Sequence, residues 1–216
     1  ANTKNYFKVR AYAKATSGYV YGPYTQLTPY TNLAKTASAK VTKTTATAAT
    51  LSWSKVSGAQ GYQVWMYTDG KWVRKTNTTS TTATISGLKS GSKTHFRIRA
   101  YRKSGSSYIY GDYTSNVTAL TLPAAVTGLN VKSTDRKNTS IKLTWTKTTG
   151  ASGYQVYRYS GGKWVKVATT TSTYYTNTGL KKNTEYKYKV RAYQKVGSTT
   201  KYGAYSSVYT VRTRIF

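Results

Sequence analysis

Residues 143–168, LTWTKTTGASGYQVYRYSGGKWVKVA, restate residues 51–76, LSWSKVSGAQGYQVWMYTDGKWVRKT, at an offset of 92. Trp53/Trp145, Gly61/Gly153, Tyr62/Tyr154, Trp72/Trp164 and Gly87/Gly179 all keep it. Downstream the match continues through HFRIRAYRKSGSSYIYGDYTSN (95–116) and KYKVRAYQKVGSTTKYGAYSSV (187–208). The chain opens on that same closing phrase, NYFKVRAYAKATSGYVYGPYTQL (5–27), so that Phe7, Phe96 and Tyr188 recur at separations of 89 and 92. Two whole units are expected, over 34–122 and 123–216, while residues 1–33 match only the last third of a unit. A period this long exceeds that of solenoid repeats and fits a string of independent small domains.

Within a unit the pattern is β throughout. In YKYKVRAY (186–193) Tyr, Tyr, Val and Ala alternate with Lys, Lys, Arg and Tyr, the period-2 signature of a strand with one buried face. Turn signals, TDGK and SGGK, separate runs rich in Val, Tyr, Trp and Thr, and no stretch has the 3.6-residue period of an amphipathic helix. About seven short strands in about 90 residues predict an all-β, two-sheet antiparallel sandwich in each unit.

At these positions the sequence resembles the fibronectin type III family, an immunoglobulin-like fold. The resemblance rests on Leu-x-Trp (Leu51/Trp53, Leu143/Trp145), on Gly-Tyr-x-Val (Gly61–Val64, Gly153–Val156), and on a Gly-Leu corner (Gly87-Leu88, Gly179-Leu180) before the Tyr/Phe-x-Val/Ile-x-Ala strand. The family's corner tyrosine falls at Tyr186 in the second unit but at Thr94 in the first and Asn5 in the N-terminal piece, which implies weaker corner hydrogen bonding there. Ser90 and Lys182 stand where the family usually has proline. The wording is similar to type III modules of secreted and cell-surface proteins from gut Gram-positive bacteria. Residues 1–33 then read as the C-terminal hairpin of a preceding module, or else as a hairpin donated to a partner's sheet.

Composition narrows the chemistry. There are 34 Lys and Arg against four acids, Asp69, Asp112, Asp135 and Glu185, which lie apart at turns and strand ends. Glycoside hydrolysis usually needs paired carboxylates, and His95 is the only histidine available to a catalytic triad. With no cysteine, thiol catalysis and thiolate metal sites are excluded. The segment is therefore expected to be no enzyme and to need no cofactor or metal. No apolar run approaches membrane-spanning length, so no membrane insertion is expected.

Two residue sets remain as candidate contacts. Net charge +30 makes an electrostatic footprint for polyanions, and its recurring members are Lys8, Arg10, Arg97, Arg99, Lys187, Lys189 and Arg191, on one face of the same strand in every copy. The same distribution also describes a solvated strand face whose cations discourage edge pairing. No nucleic-acid motif occurs, so specific nucleic-acid binding is not expected. Among 23 Tyr and five Trp, the inward parity of Tyr62, Tyr154, Phe96, Tyr186 and Tyr188 and the family position of Trp53 and Trp145 mark packing residues. Trp65, Trp72, Trp164, Tyr101, Tyr108, Tyr113, Tyr157 and Tyr193 are left as ligand-contact candidates for a sugar, against the alternative that they cover the sandwich edge beneath lysine stems.

The short LTLPAAVTGLN (120–130) between units has no Gly/Ser tract, which predicts limited bending and an elongated array. The expected function is a non-catalytic extracellular or cell-surface spacer with weak attachment to anionic cell-wall polymers. A carbohydrate-binding module is the alternative, and a protein-binding adhesin, with a host protein as partner, a further one.

Overall fold

A computed structural model describes residues 4–29 and 31–216; of the expected hairpin over 1–33, positions 1–3 and 30 lie outside the described residues. The described residues are all-β apart from one 3-10 turn, Ser133–Asp135. Residues near the N-terminus form β1 (Phe7–Val9), β2 (Tyr12–Ala15), β3 (Gly18–Tyr21) and β4 (Thr25–Leu27), a nested hairpin in which β1 pairs β4 and β2 pairs β3.

The first sandwich begins with β5 (Lys40–Thr44), β6 (Ala48–Ser52) and β9 (Thr82–Ser86), a three-stranded sheet. Its second sheet runs in the order β11 (Ser107–Tyr110), β10 (Lys93–Ser104), β7 (Gly61–Thr68), β8 (Lys71–Thr78), with β12 (Val117–Leu120) also on β10. The second sandwich pairs β13 (Ile141–Thr144) with β16 (Tyr174–Asn177). Opposite lies β15 (Lys163–Thr170), β14 (Gly153–Ser160), β17 (Glu185–Val196), β18 (Thr199–Tyr205), with β19 (Tyr209–Arg212) on β17. All registers given by these pairs are antiparallel.

Local chemistry explains the hairpins. Thr68 pairs with Lys71 across Asp69 (φ 49°) and Gly70 (φ 77°). Ser160 pairs with Lys163 across Gly161 (φ 56°) and Gly162 (φ 76°). Two consecutive positive φ angles make the tight turn whose twist matches the flanking strands, and Asp-Gly and Gly-Gly supply them. One turn inward, a β-bulge interrupts both hairpins at the same place, between Val64 and Trp65 and between Val156 and Tyr157.

The alternation read from the sequence is the alternation of burial. Phe96, Ile98 and Ala100 on β10, and Tyr188, Val190 and Ala192 on β17, have no solvent exposure. In the second sandwich they pack with Ile141, Leu143, Trp145, Tyr154, Val156 and Leu180 in one core. Trp145 meets Tyr154 edge-on at 5.4 Å, and Trp53 meets Tyr62 at 5.5 Å. The hydroxyls of these two tyrosines are satisfied by main chain: Tyr62 accepts from Val56 N–H at 2.8 Å and Tyr154 from Thr148 N–H at 2.9 Å.

The corner differs between units as the resemblance implies. Tyr186 Oη accepts from Lys181 N–H at 2.8 Å, whereas Thr94 has no phenol to offer. A buried threonine clamps both corners nonetheless. Thr121 Oγ1 donates to Lys89 O at 2.7 Å and accepts from Ser92 N–H, and Thr213 Oγ1 donates to Lys181 O at 2.7 Å and accepts from Thr184 N–H.

Candidate functional site

Odd-numbered residues of β10 and β17 point away from the core, and this parity assembles the site. On β10 the Arg97 guanidinium sits 4.3 Å from the Trp72 ring centre and 3.9 Å from that of Tyr113. Arg99 continues the stack, 4.8 Å from Tyr113 and 3.8 Å from Tyr110. The order is ring, cation, ring, cation, ring. On β17 Lys189 lies 4.4 Å from Trp164 and 4.0 Å from Tyr205, and Arg191 lies 5.0 Å from Tyr205 and 4.1 Å from Tyr202. The N-terminal hairpin has the shorter version: Lys8 at 5.9 Å from Tyr24, then Arg10 at 4.8 Å from Tyr24 and 3.6 Å from Tyr21.

Each ladder is braced from the side. Trp65 stands edge-on to Tyr113 at 6.0 Å, and Tyr157 edge-on to Tyr205 at 5.3 Å. Strand register places these two rings, Trp65 opposite Arg97 and Tyr157 opposite Lys189. Beneath them buried Gln63 accepts from Arg99 Nε at 2.9 Å and from Trp65 Nε1 at 3.3 Å. Gln155 accepts from Arg191 Nε at 3.0 Å, from a terminal nitrogen of Arg191 at 2.8 Å, and from the Tyr157 hydroxyl at 3.0 Å. Tyr157 Oη in turn accepts from Arg191 at 3.0 Å. Burial pushes the Tyr205 phenol above its ordinary value, reinforced by its hydrogen bond with Tyr157, while the Arg191 cation pulls the other way. Cation–ring contacts of this kind contribute about 0.5–1 kcal/mol when exposed and about 2 kcal/mol when desolvated.

The two residue sets that the sequence kept apart thus interleave. Arg97, Arg99, Lys189 and Arg191 lie between the rings of Trp72, Trp164 and Tyr113 and of the neighbouring tyrosines, so those ring faces are occupied by the chain's own cations. Lys187 is exposed on the same face of β17, beyond the stack. Tyr108 is exposed and stacks on Tyr110 at 6.1 Å.

Tyr101 and Tyr193 play another part. A Cβ at Gly61 would come within 2.7 Å of the Tyr101 ring, and one at Gly153 within 2.6 Å of Tyr193 Oη. The glycine of Gly-Tyr-x-Val is the floor on which these tyrosines lie. Tyr193, expected among the solvent-facing aromatics, is instead buried at 9 % exposure, its phenol end set against Gly153. Gln63 and Gln155 were not singled out from the sequence, although GYQV recurs in both units. Among the described residues no three His, Cys, Asp or Glu side chains come together as a metal site. No helix among them is long and apolar enough to cross a membrane.

Similarity to known proteins agrees with this architecture. The chain is 32 % identical over 186 residues to exoglucanase B of Cellulomonas fimi, covering 77 % of the chain and 16 % of that protein. To chitinase A1 of Niallia circulans it is 33 % identical over 187 residues, covering 81 % of the chain and 25 % of that protein. It therefore spans a quarter or less of the length of these relatives. A two-domain fibronectin type III segment of chicken tenascin matches 82 % of the chain and 99 % of that segment with a TM-score of 0.50 at 18 % identity, a likeness of fold. The model of the fibronectin type III domain matches residues 36–116 and 124–209, and the chain belongs to that family.

Proposed function

We propose that the chain is a non-catalytic spacer array of an exported bacterial protein, which holds other domains apart, with its cationic faces giving weak attachment to anionic wall polymers. The observation that carries this reading is that one stretch of chain is similar to parts of both an exoglucanase and a chitinase. A module common to enzymes named for different polysaccharides serves something other than recognition of either one. The ladder supports the same reading, because rings already covered by the chain's own cations are poor platforms for a sugar. In this proposal residues 34–122 and 123–216 are the complete units. Residues 1–33 are the closing strands of a preceding unit: Phe7 and Val9 are 53 % and 56 % exposed, where their counterparts Phe96 and Ile98 are fully buried.

Sedimentation of the chain with insoluble cellulose, chitin and purified Gram-positive walls, at low and high salt, tests the reading. A spacer stays in the supernatant with both polysaccharides and leaves the walls as salt rises. Salt-resistant retention that disappears in Trp72→Ala/Trp164→Ala replaces it with the sugar-binding alternative.

A further inference from the structure

We infer that the outward face of β10 is a binding strip for a linear polyol phosphate, a polymer whose phosphodiesters are separated by short, uncharged, ring-free linkers. This rests on the electrostatic attachment proposed above and names the chemistry of that attachment. Lys93, His95, Arg97 and Arg99 occupy four successive outward positions of one strand. Outward neighbours are about 7 Å apart and the run spans about 20 Å. Asp69, in the turn after β7, and Asp112, in the segment between β11 and β12, are the acids nearest in sequence and lie outside β10, whereas the matching position to Lys93 in the second unit is Glu185. The strip is therefore built more completely in the first sandwich than in the second.

Stacking dictates what it can take. The rings cover the flat faces of both guanidinium groups and leave their edges, and an edge is the part of arginine that matches two oxygens of a phosphate. Arg99 is held in plane by Gln63. Among the described residues Arg97 has no such acceptor, and its buried Nε lacks a hydrogen-bond partner, so its terminal N–H groups are the edge left for an incoming oxygen. Sugars and nucleobases bind aromatics through free ring faces, which the ladder does not offer. A flexible polyol phosphate needs no ring face and can set its phosphates to the strand.

The test uses the whole chain and immobilised synthetic poly(glycerol phosphate), with affinity followed as a function of salt. Arg97→Gln/Arg99→Gln removes two charges from the strip, and Lys40→Gln/Lys43→Gln removes two exposed charges from β5 as a matched control. Arg97→Lys/Arg99→Lys keeps charge and loses the planar edge. The strip predicts a loss of roughly tenfold for the glutamine pair, about threefold or more for the lysine pair, and less than twofold for the control. Thermal unfolding of each variant, compared with the parent, ensures that folded protein is assayed, and the lysine pair tests the edge with net charge unchanged. Equal losses in the Arg97/Arg99 and Lys40/Lys43 glutamine pairs, or a lysine pair indistinguishable from the parent, overturn the strip while leaving nonspecific electrostatic attachment standing. Absence of parent binding at low salt overturns both. A preference for duplex DNA over poly(glycerol phosphate) also overturns the strip.

Discussion

Tyr188 and Tyr186 are two residues apart on β17 and face opposite problems. Tyr188 is enclosed in the core, where burial outweighs its hydrogen bond from Asn177 Nδ2 at 2.8 Å and the nearby Arg158 cation, and its phenol is pushed up to about 12. An unfolded chain loses that proton near pH 10, so the folded state binds the extra proton between about pH 10 and 12. Stability of the second sandwich is expected to be unaffected by this group below pH 10 and to fall as pH rises through that window. Phenolate absorbance during alkaline titration, compared with Tyr188→Phe, should show one tyrosine titrating last and together with unfolding. Tyr186 packs its ring against the edge of the core and adds a hydroxyl that accepts from Lys181 N–H. Tyr186→Phe should cost about 1 kcal/mol in urea unfolding of the second unit, the usual net value of one hydrogen bond.

At the scale of the element, β10 and β17 each serve two surfaces, with aliphatic and aromatic side chains inward and cations outward. The outward cations are mutually repelling groups that rings hold in line, so removing a ring should destabilise the sheet as well as expose charge. Trp72→Ala and Trp164→Ala are each expected to cost about 1–2 kcal/mol, from lost cation–ring contact and lost cover over the strand, in denaturant midpoints at unchanged slope. Gly153→Ala is expected to cost about 1–3 kcal/mol, because the new methyl meets Tyr193 Oη at 2.6 Å and Thr170 O at 2.8 Å. Gly153→Ala combined with Tyr193→Ala should recover part of that loss, and a double variant no better than the sum of the two would remove the ring-on-glycine account. Little of this pairing shows in the sequence. GYQV and RAY are separate words there, and only the register Gly153↔Tyr193 brings glycine and tyrosine together.

Across the whole molecule, the repeat accounts for the two cores, and the N-terminal hairpin is the piece whose core face is uncovered. Phe7, Val9 and Leu27 are 53 %, 56 % and 53 % exposed, an apolar face of the kind that associates in water. Phe7→Ser/Val9→Ser should lower binding of an apolar fluorescent dye and any self-association seen by sedimentation, while shifting unfolding of the sandwiches by less than about 0.5 kcal/mol. By itself the sequence determined the all-β class, the doubled unit, the strand parity and the inward tyrosines and tryptophans, because these follow from period-2 alternation and turn chemistry, which act between near neighbours. It also placed the cations on one face of one strand, for the same reason. What only the tertiary structure decided is which rings those cations meet. Trp72 comes from β8, Tyr113 from the segment between β11 and β12, and Tyr110 from β11; their closure on Arg97 and Arg99 depends on pairing register and on a bulge. Those are long-range choices settled by burial of the opposite face of the sheet.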